Sequence, residues 1–233
     1  MIAGVVTTRN EAAIIALTVQ HLVSQGVERI YAVDASDDFT PDILHSFYEV
    51  VVVILDDGPY HHQDYWVNRL AQQATEDGAE WIIPFDADEF WSGVDGTVAE
   101  VLARASTPKV FADVYHYYDW HYREANPKHR KVACRYPKGT LIERGNHDAR
   151  LPDNRAQGGL IVRELCYRSE DHFLEKVRDR NARLEPELAL PTGWQHRRWE
   201  NLSDDEIRAL YQTYSPFGDG HPRNTVLDPI GVA

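Results

Sequence analysis

The first 90 residues alternate between short apolar runs and amphipathic stretches. Ile2 to Thr7 is rich in β-branched residues and reads as a strand. Ile14, Ile15, Leu17, Leu22 and Val23 then recur at helical spacing up to Gly26, and Asn10 stands where it can cap that helix. Ile30 to Val33 is a second strand ending at Asp34. Thr40-Pro41 opens a second helix, proline taking the favoured first position, with Ile43, Leu44, Phe47 and Tyr48 on it. Val50 to Leu55 is a third strand, ending at Asp56-Asp57-Gly58. Tyr65 to Thr75 is a third helix, closed by Gly78. Trp81, Ile82, Ile83 and Phe85 follow as the continuous apolar run of a strand covered on both faces. Strands joined by helical crossovers predict an α/β fold, a doubly wound and mostly parallel sheet with helices on both faces.

After residue 95 the pattern changes. Thr97 to Ala105 reads as a short helix and Val110 to Tyr122 as one aromatic strand. The basic stretch Arg123 to Lys138 reads as a loop followed by a strand, and Gly145-Asn146-His147-Asp148 as a tight turn. Ser169 is placed to cap a helix reaching about Ala182, with Glu170 and Asp171 in its first turn. Ser203 is placed to cap a last helix, and the tail from Ser215 is rich in glycine and proline.

Where the strands end changes the picture most. Thr7-Thr8-Arg9-Asn10, Asp34, Asp57 and Asp86 are all polar tips, and in open α/β sheets ligands bind at the carboxyl ends of the strands. Any single acid there is also an ordinary turn residue or helix cap. The run Trp-Ile-Ile-Pro-Phe-Asp-Ala-Asp-Glu-Phe-Trp, residues 81 to 91, is more specific, because a buried strand runs straight into Asp86, Asp88 and Glu89. Carboxylates one residue apart on an extended tip suit a hard divalent cation. Acid-x-acid by itself is weak, since roughly one Asp-x-Asp is expected by chance at this length. It recurs at Glu185-x-Glu187 and Asp204-x-Glu206 without a strand to position it.

Composition sets limits. A chain of 233 residues with 43% hydrophobic content and six Trp buries a substantial core and reads as a single domain. The net charge of −13 argues against a nucleic-acid or anionic membrane surface, though not against an anionic small molecule at a local site. Two cysteines, Cys134 and Cys166, are too few for a disulfide framework and predict a reducing, cytoplasmic setting. The N-terminus shows no signal-peptide pattern, and no run approaches the length of a transmembrane segment.

Together these residues resemble a family 2 glycosyltransferase of the GT-A fold, in the bacterial branch whose acidic motif runs Asp-x-Asp-Glu-Phe. The resemblance rests on Thr8-Arg9-Asn10-Glu11, Asp34-Ala35-Ser36-Asp37 and Gln63 through Asn68-Arg69. It continues through Asp86-Ala87-Asp88-Glu89-Phe90, Gly145-Asn146-His147-Asp148, and Tyr167-Arg168-Ser169 through Phe173 and Lys176. It implies a Rossmann-like sandwich that moves a sugar from a nucleotide diphosphate, with UDP as the expected nucleotide, Mn²⁺ or Mg²⁺ as the metal, and inversion. The acceptor class stays open among a glycan, a lipid-linked intermediate and a protein. Residues 1–95 would then be a nucleotide-binding half, 96–185 an acceptor and catalytic half, and 186–233 a helix and tail.

On this resemblance Asp88 is a direct metal ligand, while Asp86 binds metal through water or holds the ribose. Asp34 with Thr8, Asn10 and Glu11 reads the nucleoside, and Asp57, Arg69 and Lys176 are further donor-side residues. Asp148 is the first choice of general base, with Asp119 and Glu89 behind it. The family often has His-Tyr where this chain has Cys166-Tyr167, so a metal role for that histidine passes to His147.

Other readings stand beside these. His147 is also an ordinary turn residue, and Ser169 and Lys176 an ordinary cap and helix face. The cluster Tyr115, His116, Tyr117, Tyr118, Asp119, Trp120, His121 is either a sugar-stacking wall or, more commonly for alternating aromatics, a strand with two packed faces. His61-His62 lacks the i, i+4 spacing of a helical metal pair. A nucleotidyltransferase would show a glycine-rich phosphate loop after the first strand, where this chain has Val-Val-Thr-Thr-Arg-Asn-Glu. A phosphatase with a nucleophilic Asp would carry its motif at the first strand, and dinucleotide binding would need Gly-x-Gly-x-x-Gly. A domain that binds a nucleotide sugar or glycan without turnover is the non-enzymatic alternative.

Overall fold

The computed structural model describes residues 1–56, 62–117, 120–165, 168–182, 199, 201–214 and 225–230. Strands β1 (Ile2–Thr8), β2 (Arg29–Asp34), β3 (Val51–Leu55) and β4 (Trp81–Pro84) alternate with helices α1 (Ile15–Ser24), α2 (Thr40–Ser46) and α3 (Gln63–Glu76). The β1–β2, β2–β3 and β1–β4 pairs are all parallel. Next come β5 (Glu89–Gly93), α4 (Val98–Ala103), β6 (Lys109–His116), β7 (Tyr122–Glu124) and β8 (His129–Cys134). They are followed by β9 (Leu141–Ile142), β10 (Ala149–Arg150), β11 (Ala156–Glu164), α5 (Glu170–Ala182), α6 (Asp204–Tyr214) and β12 (Thr225–Leu227).

One eight-stranded sheet runs β3-β2-β1-β4-β8-β6-β11-β5. Its first four strands are the parallel half; β8 is antiparallel to both its neighbours, β11 runs parallel to β6, and β5 returns antiparallel at the edge. This is the mixed, mostly parallel α/β sheet that the sequence pattern predicts. Alternation along β1 explains the two cores. Val6 faces α1, α2 and α4 with Ile15, Leu22, Leu44 and Trp91, whereas Ala3 and Val5 face α3 with Val67, Leu70 and Ala74. A third cluster joins α5 to α6 through Phe173, Val177 and Ile207.

Some elements differ from the expectation. Asn10 does not cap α1: it sits at φ 54 with Oδ1 accepting from the Asp37 amide at 2.9 Å, and the helix begins at Ile15. The segment expected as one aromatic strand is two, β6 and β7, and β7 pairs with β12 from the tail expected to be irregular. Neither β5 nor β11 reads as a strand in sequence. Gln157-Gly158-Gly159-Leu160 interrupts the apolar pattern of β11, and the pairing shifts register there.

Two segments far apart in sequence meet at Gly26, which adopts φ +90 at the end of α1. A Cβ there would stand 2.4 Å from Ala99 Cβ in α4, and the Ala99 amide donates to Gln25 O at 3.0 Å. Gly26→Ala is therefore expected to lower stability by roughly 1–3 kcal/mol, read as a lower urea midpoint. An unchanged midpoint would mean that the α1–α4 contact yields without cost.

Candidate active site

Strand order places a crevice. From β1 the chain moves to β2 and β3 on one side, then returns to β4 on the other, so the topological switch lies between β1 and β4. The residues after these two strands flank the position where open α/β sheets bind ligands.

On the β1 side, Thr8 and Asp34 are register partners at the ends of β1 and β2. The buried Asp34 carboxylate accepts from Thr8 Oγ1 at 2.7 Å and from Ser36 Oγ at 2.8 Å. Glu11 is ion-paired with Arg168 at 2.9 Å, and Arg9 with Asp179 at 2.7 Å. Burial, with Asp88 nearby, holds the Glu11 carboxyl above the usual carboxylate range.

On the β4 side the chain turns back on itself through Asp86-Ala87-Asp88, the Glu89 amide donating to Asp86 O at 3.1 Å, and leaves as β5. The turn gathers three acids and two lysines. Asp86 accepts from Gln63 Nε2 at 3.0 Å and from Lys131 Nζ at 2.7 Å. Asp88 accepts from Lys176 Nζ at 2.6 Å, which ties α5 to the turn. Glu89 is fully buried, with Oε2 accepting from the Asp86 amide and from Trp91 Nε1, each at 3.1 Å. Its Oε1 lies 2.9 Å from Lys131 Nζ, outside hydrogen-bonding geometry. Lys131 itself is only 3% exposed.

Charge and burial set the protonation states. Burial, reinforced by Asp86 and Glu164, pushes Glu89 up to about 8 despite Lys131. Burial also acts to raise Asp86 and Glu164, but the cations around them win. Lys131 brings Asp86 down, and His116, Lys131 and Lys176 bring Glu164 down. Lys131 is held firmly protonated: burial opposes the charge, and Asp86, Glu89 and Glu164 more than offset it.

Glu164 also faces two histidines. His116 Nε2 lies 3.2 Å and His129 Nε2 3.8 Å from Glu164 Oε2. His147 stands edge-on to His129, ring centroids 4.7 Å apart, with Nδ1 2.9 Å from Arg130 O. Burial lowers His129 to about 4, so its ring is neutral at pH 7.

A family profile described as glycosyl transferase family 2 matches residues 5–163. This chain belongs to that family. No curated protein matches it. Among solved structures, S. aureus TarS 1–349 in complex with UDP is 14% identical, with 90% of this chain and 70% of that chain covered and a TM-score of 0.48. S. aureus TarS is likewise 14% identical, covering 94% of this chain and 44% of that one, at a TM-score of 0.46. HddC from Yersinia pseudotuberculosis is 13% identical, covering 49% of this chain and 59% of that one, at a TM-score of 0.38.

In this glycosyltransferase the remaining expected site residues lie as follows. Asp148 accepts from Lys109 Nζ and from the Ala149 amide, each at 2.7 Å, and lies 3.9 Å from Arg130; none of these belongs to the acid group. Arg69 lines an open groove between α3 and the β9–β10 hairpin, together with Tyr136 and Arg144. Asp57 and Asp119 lie outside the described residues, as do His61, Cys166 and Tyr167. Tyr117 and Trp120 pack in a buried cluster with Phe90, so this part of the aromatic run has packed faces. Sequence reasoning missed Lys131, Glu164 and His129. Lys131 carries no local signal, because a lysine in an alternating run reads as the solvent face, and Glu164 was hidden with β11.

The donor set fits a divalent cation. Four carboxyl groups (Glu11, Asp86, Asp88, Glu89) share this region with three cations (Lys131, Lys176, Arg168). Glu89 Oε1 is buried without a hydrogen bond. Oxygen donors in excess of positive charge are what a hard cation requires.

Removing Lys131 tests the charge balance. Lys131→Met is expected to cost roughly 3–5 kcal/mol, the magnitude for breaking a buried ion pair from one side, seen as a large drop in thermal midpoint. A loss within the ordinary surface range would contradict the buried pairing. Glu89 supplies a pH test. Because its folded pKa is raised from 4.5 to about 8, the stability it contributes is full below about 4.5 and is lost as pH rises through about 8. Glu89→Gln should flatten the stability–pH curve across that interval in denaturant titrations, and an unchanged slope would rule the shift out.

Proposed function

We propose that this glycosyltransferase moves a sugar from a UDP-sugar to an acceptor hydroxyl, with inversion, using Mn²⁺ or Mg²⁺ held at Asp88 and Asp86. The observation that carries this reading is the buried, acid-rich turn after β4 at the switch point of the sheet, facing the Thr8–Glu11 segment across it. Asp34, oriented by Thr8 and Ser36, is placed to accept from uracil or ribose donors, with Asn10 bonded to Ser36 and Asp37 next to it and Asp57 as a further donor-side residue. When bound, the cation supplies Lewis-acid stabilisation of charge developing on the leaving diphosphate. Lys176, 2.6 Å from Asp88, would be placed to bind a diphosphate oxygen if Asp88 held the metal. Asp86 stays pinned by Lys131 and Gln63 and presents a fixed carboxylate.

The acceptor hydroxyl gives its proton to a carboxylate. Asp148, ion-paired with Lys109, remains the first candidate for this base, with Asp119 and the buried Glu89 behind it. The acceptor is a glycan, a lipid-linked intermediate or a protein. Among the described residues no helix is long and apolar enough to cross a membrane. The buried free thiol of Cys134 suits a reducing cytoplasm.

Thermal shift with UDP, GDP, CDP and ADP, each with Mn²⁺ or chelator, tests the donor. UDP with Mn²⁺ at about 100 times its dissociation constant should stabilise the wild type by roughly 2.7 kcal/mol, and chelator should abolish the shift. Asp88→Asn should remove the Mn²⁺-dependent part and lower transfer on the order of 10²-fold or more. Full transfer in chelator, or a shift with another nucleotide alone, overturns the corresponding part of the reading.

A further inference from the structure

His116, His129 and Glu164 form a second ligand group beside the Asp86–Asp88 turn, with ligand atoms of its own. Their potential metal-ligating atoms all lie within 4.8 Å of one another, the only such group of three or more found among the described residues. The three come from adjacent strands of the main sheet. His116 ends β6, Glu164 ends β11 as its direct register partner, and His129 begins β8 opposite Val114 of β6. Their backbones are thus fixed by strand pairing, which places ligands more firmly than loops do.

The geometry points to a three-ligand site for a borderline divalent transition metal, Zn²⁺ or Co²⁺ in preference to Mg²⁺, with a remaining position open to water or a substrate oxygen. Two imidazoles and one carboxylate are the ligand type of open zinc sites, whereas Mg²⁺ prefers oxygen alone. Tetrahedral ligands about 2.1 Å from a metal stand roughly 3.4 Å apart. The observed 3.2 Å from His116 Nε2 and 3.8 Å from His129 Nε2 to Glu164 Oε2 bracket that spacing. The ordinary alternative is a His–Glu hydrogen bond. It accounts for only one of the two rings: His116 Nε2 is within reach of Glu164 Oε2 at 3.2 Å, whereas His129 Nε2, at 3.8 Å, is too far for a hydrogen bond and is turned to the same oxygen. The rings are also held in place. His129 stands edge-on to both His116 and His147, centroids 5.4 and 4.7 Å away, and all three ligands keep partly exposed side chains through which an ion can enter.

This inference does not depend on the donor reading, and Co²⁺ binding separates the two. Untagged protein, stripped with chelator, is titrated with Co²⁺ and followed by visible d–d absorption, then back-titrated with Zn²⁺. The expected result is one equivalent of Co²⁺ with the intense bands of a low-coordinate site, displaced by Zn²⁺ and not by excess Mg²⁺. The bands should persist in Asp88→Asn and vanish in the His116→Ala/His129→Ala double variant. Circular dichroism checks the fold, and His129→Gln, which keeps a polar side chain, replaces the double variant if that does not fold. No d–d absorption in the wild type, bands unchanged by the histidine substitutions, or bands lost in folded Asp88→Asn would each overturn the site.

Discussion

The charge held by Lys131 is the constraint on which the rest of the site depends. An ammonium group 3% exposed, with Asp86 at 2.7 Å and Glu89 at 2.9 Å, lets the chain fold a run of acids into the interior at the end of β4. Without that cation the desolvation cost of two neighbouring carboxylates would have nothing to offset it. Its position on β8, whose Cys134 pairs with Ile82 of β4, brings the counter-charge from the second half of the chain to the tip of the first. Glu89 completes the arrangement by remaining largely protonated up to about 8, so the turn carries less negative charge than its sequence suggests.

A second set of ion pairs crosses the crevice from α5 and the residues just before it. Arg168 with Glu11, Asp179 with Arg9, and Lys176 with Asp88 join one short segment to the residues after β1 and β4. All three partners lie where a nucleotide diphosphate would sit under the proposed function. The helix is therefore tied to the acid turn through the Lys176–Asp88 pair.

The parallel half of the fold was legible because both its periodicities are strong. Runs such as Ile30 to Val33 and Trp81 to Ile83 are continuous and apolar, and the helices between them carry regular stripes. The antiparallel half was less legible. Its strands carry polar residues at interior positions, Lys109 and Lys131 above all, and β11 is broken by two glycines. The same holds for the site. Asp86 and Asp88 stand out because a buried strand delivers them, and Thr8 and Asp34 because their strands end there. Glu164, His116 and His129 converge only through β6–β11 and β6–β8 pairing, a long-range fact without a local signature. Asn10 shows the opposite case: its residue type suggested a helix cap, but a left-handed backbone and a bond to the Asp37 amide gave it another role.

The central claim is that the acid turn after β4 is a cation-dependent diphosphate site. A crystal structure with UDP and Mn²⁺, with anomalous scattering recorded to locate manganese, tests it most directly. The account predicts a manganese peak at Asp88 with the diphosphate bound at the same turn, and Lys176 displaced from the 2.6 Å contact it makes with Asp88 here. A diphosphate bound away from this turn, or bound at it with Lys176 still on Asp88 and no manganese peak, would contradict the account.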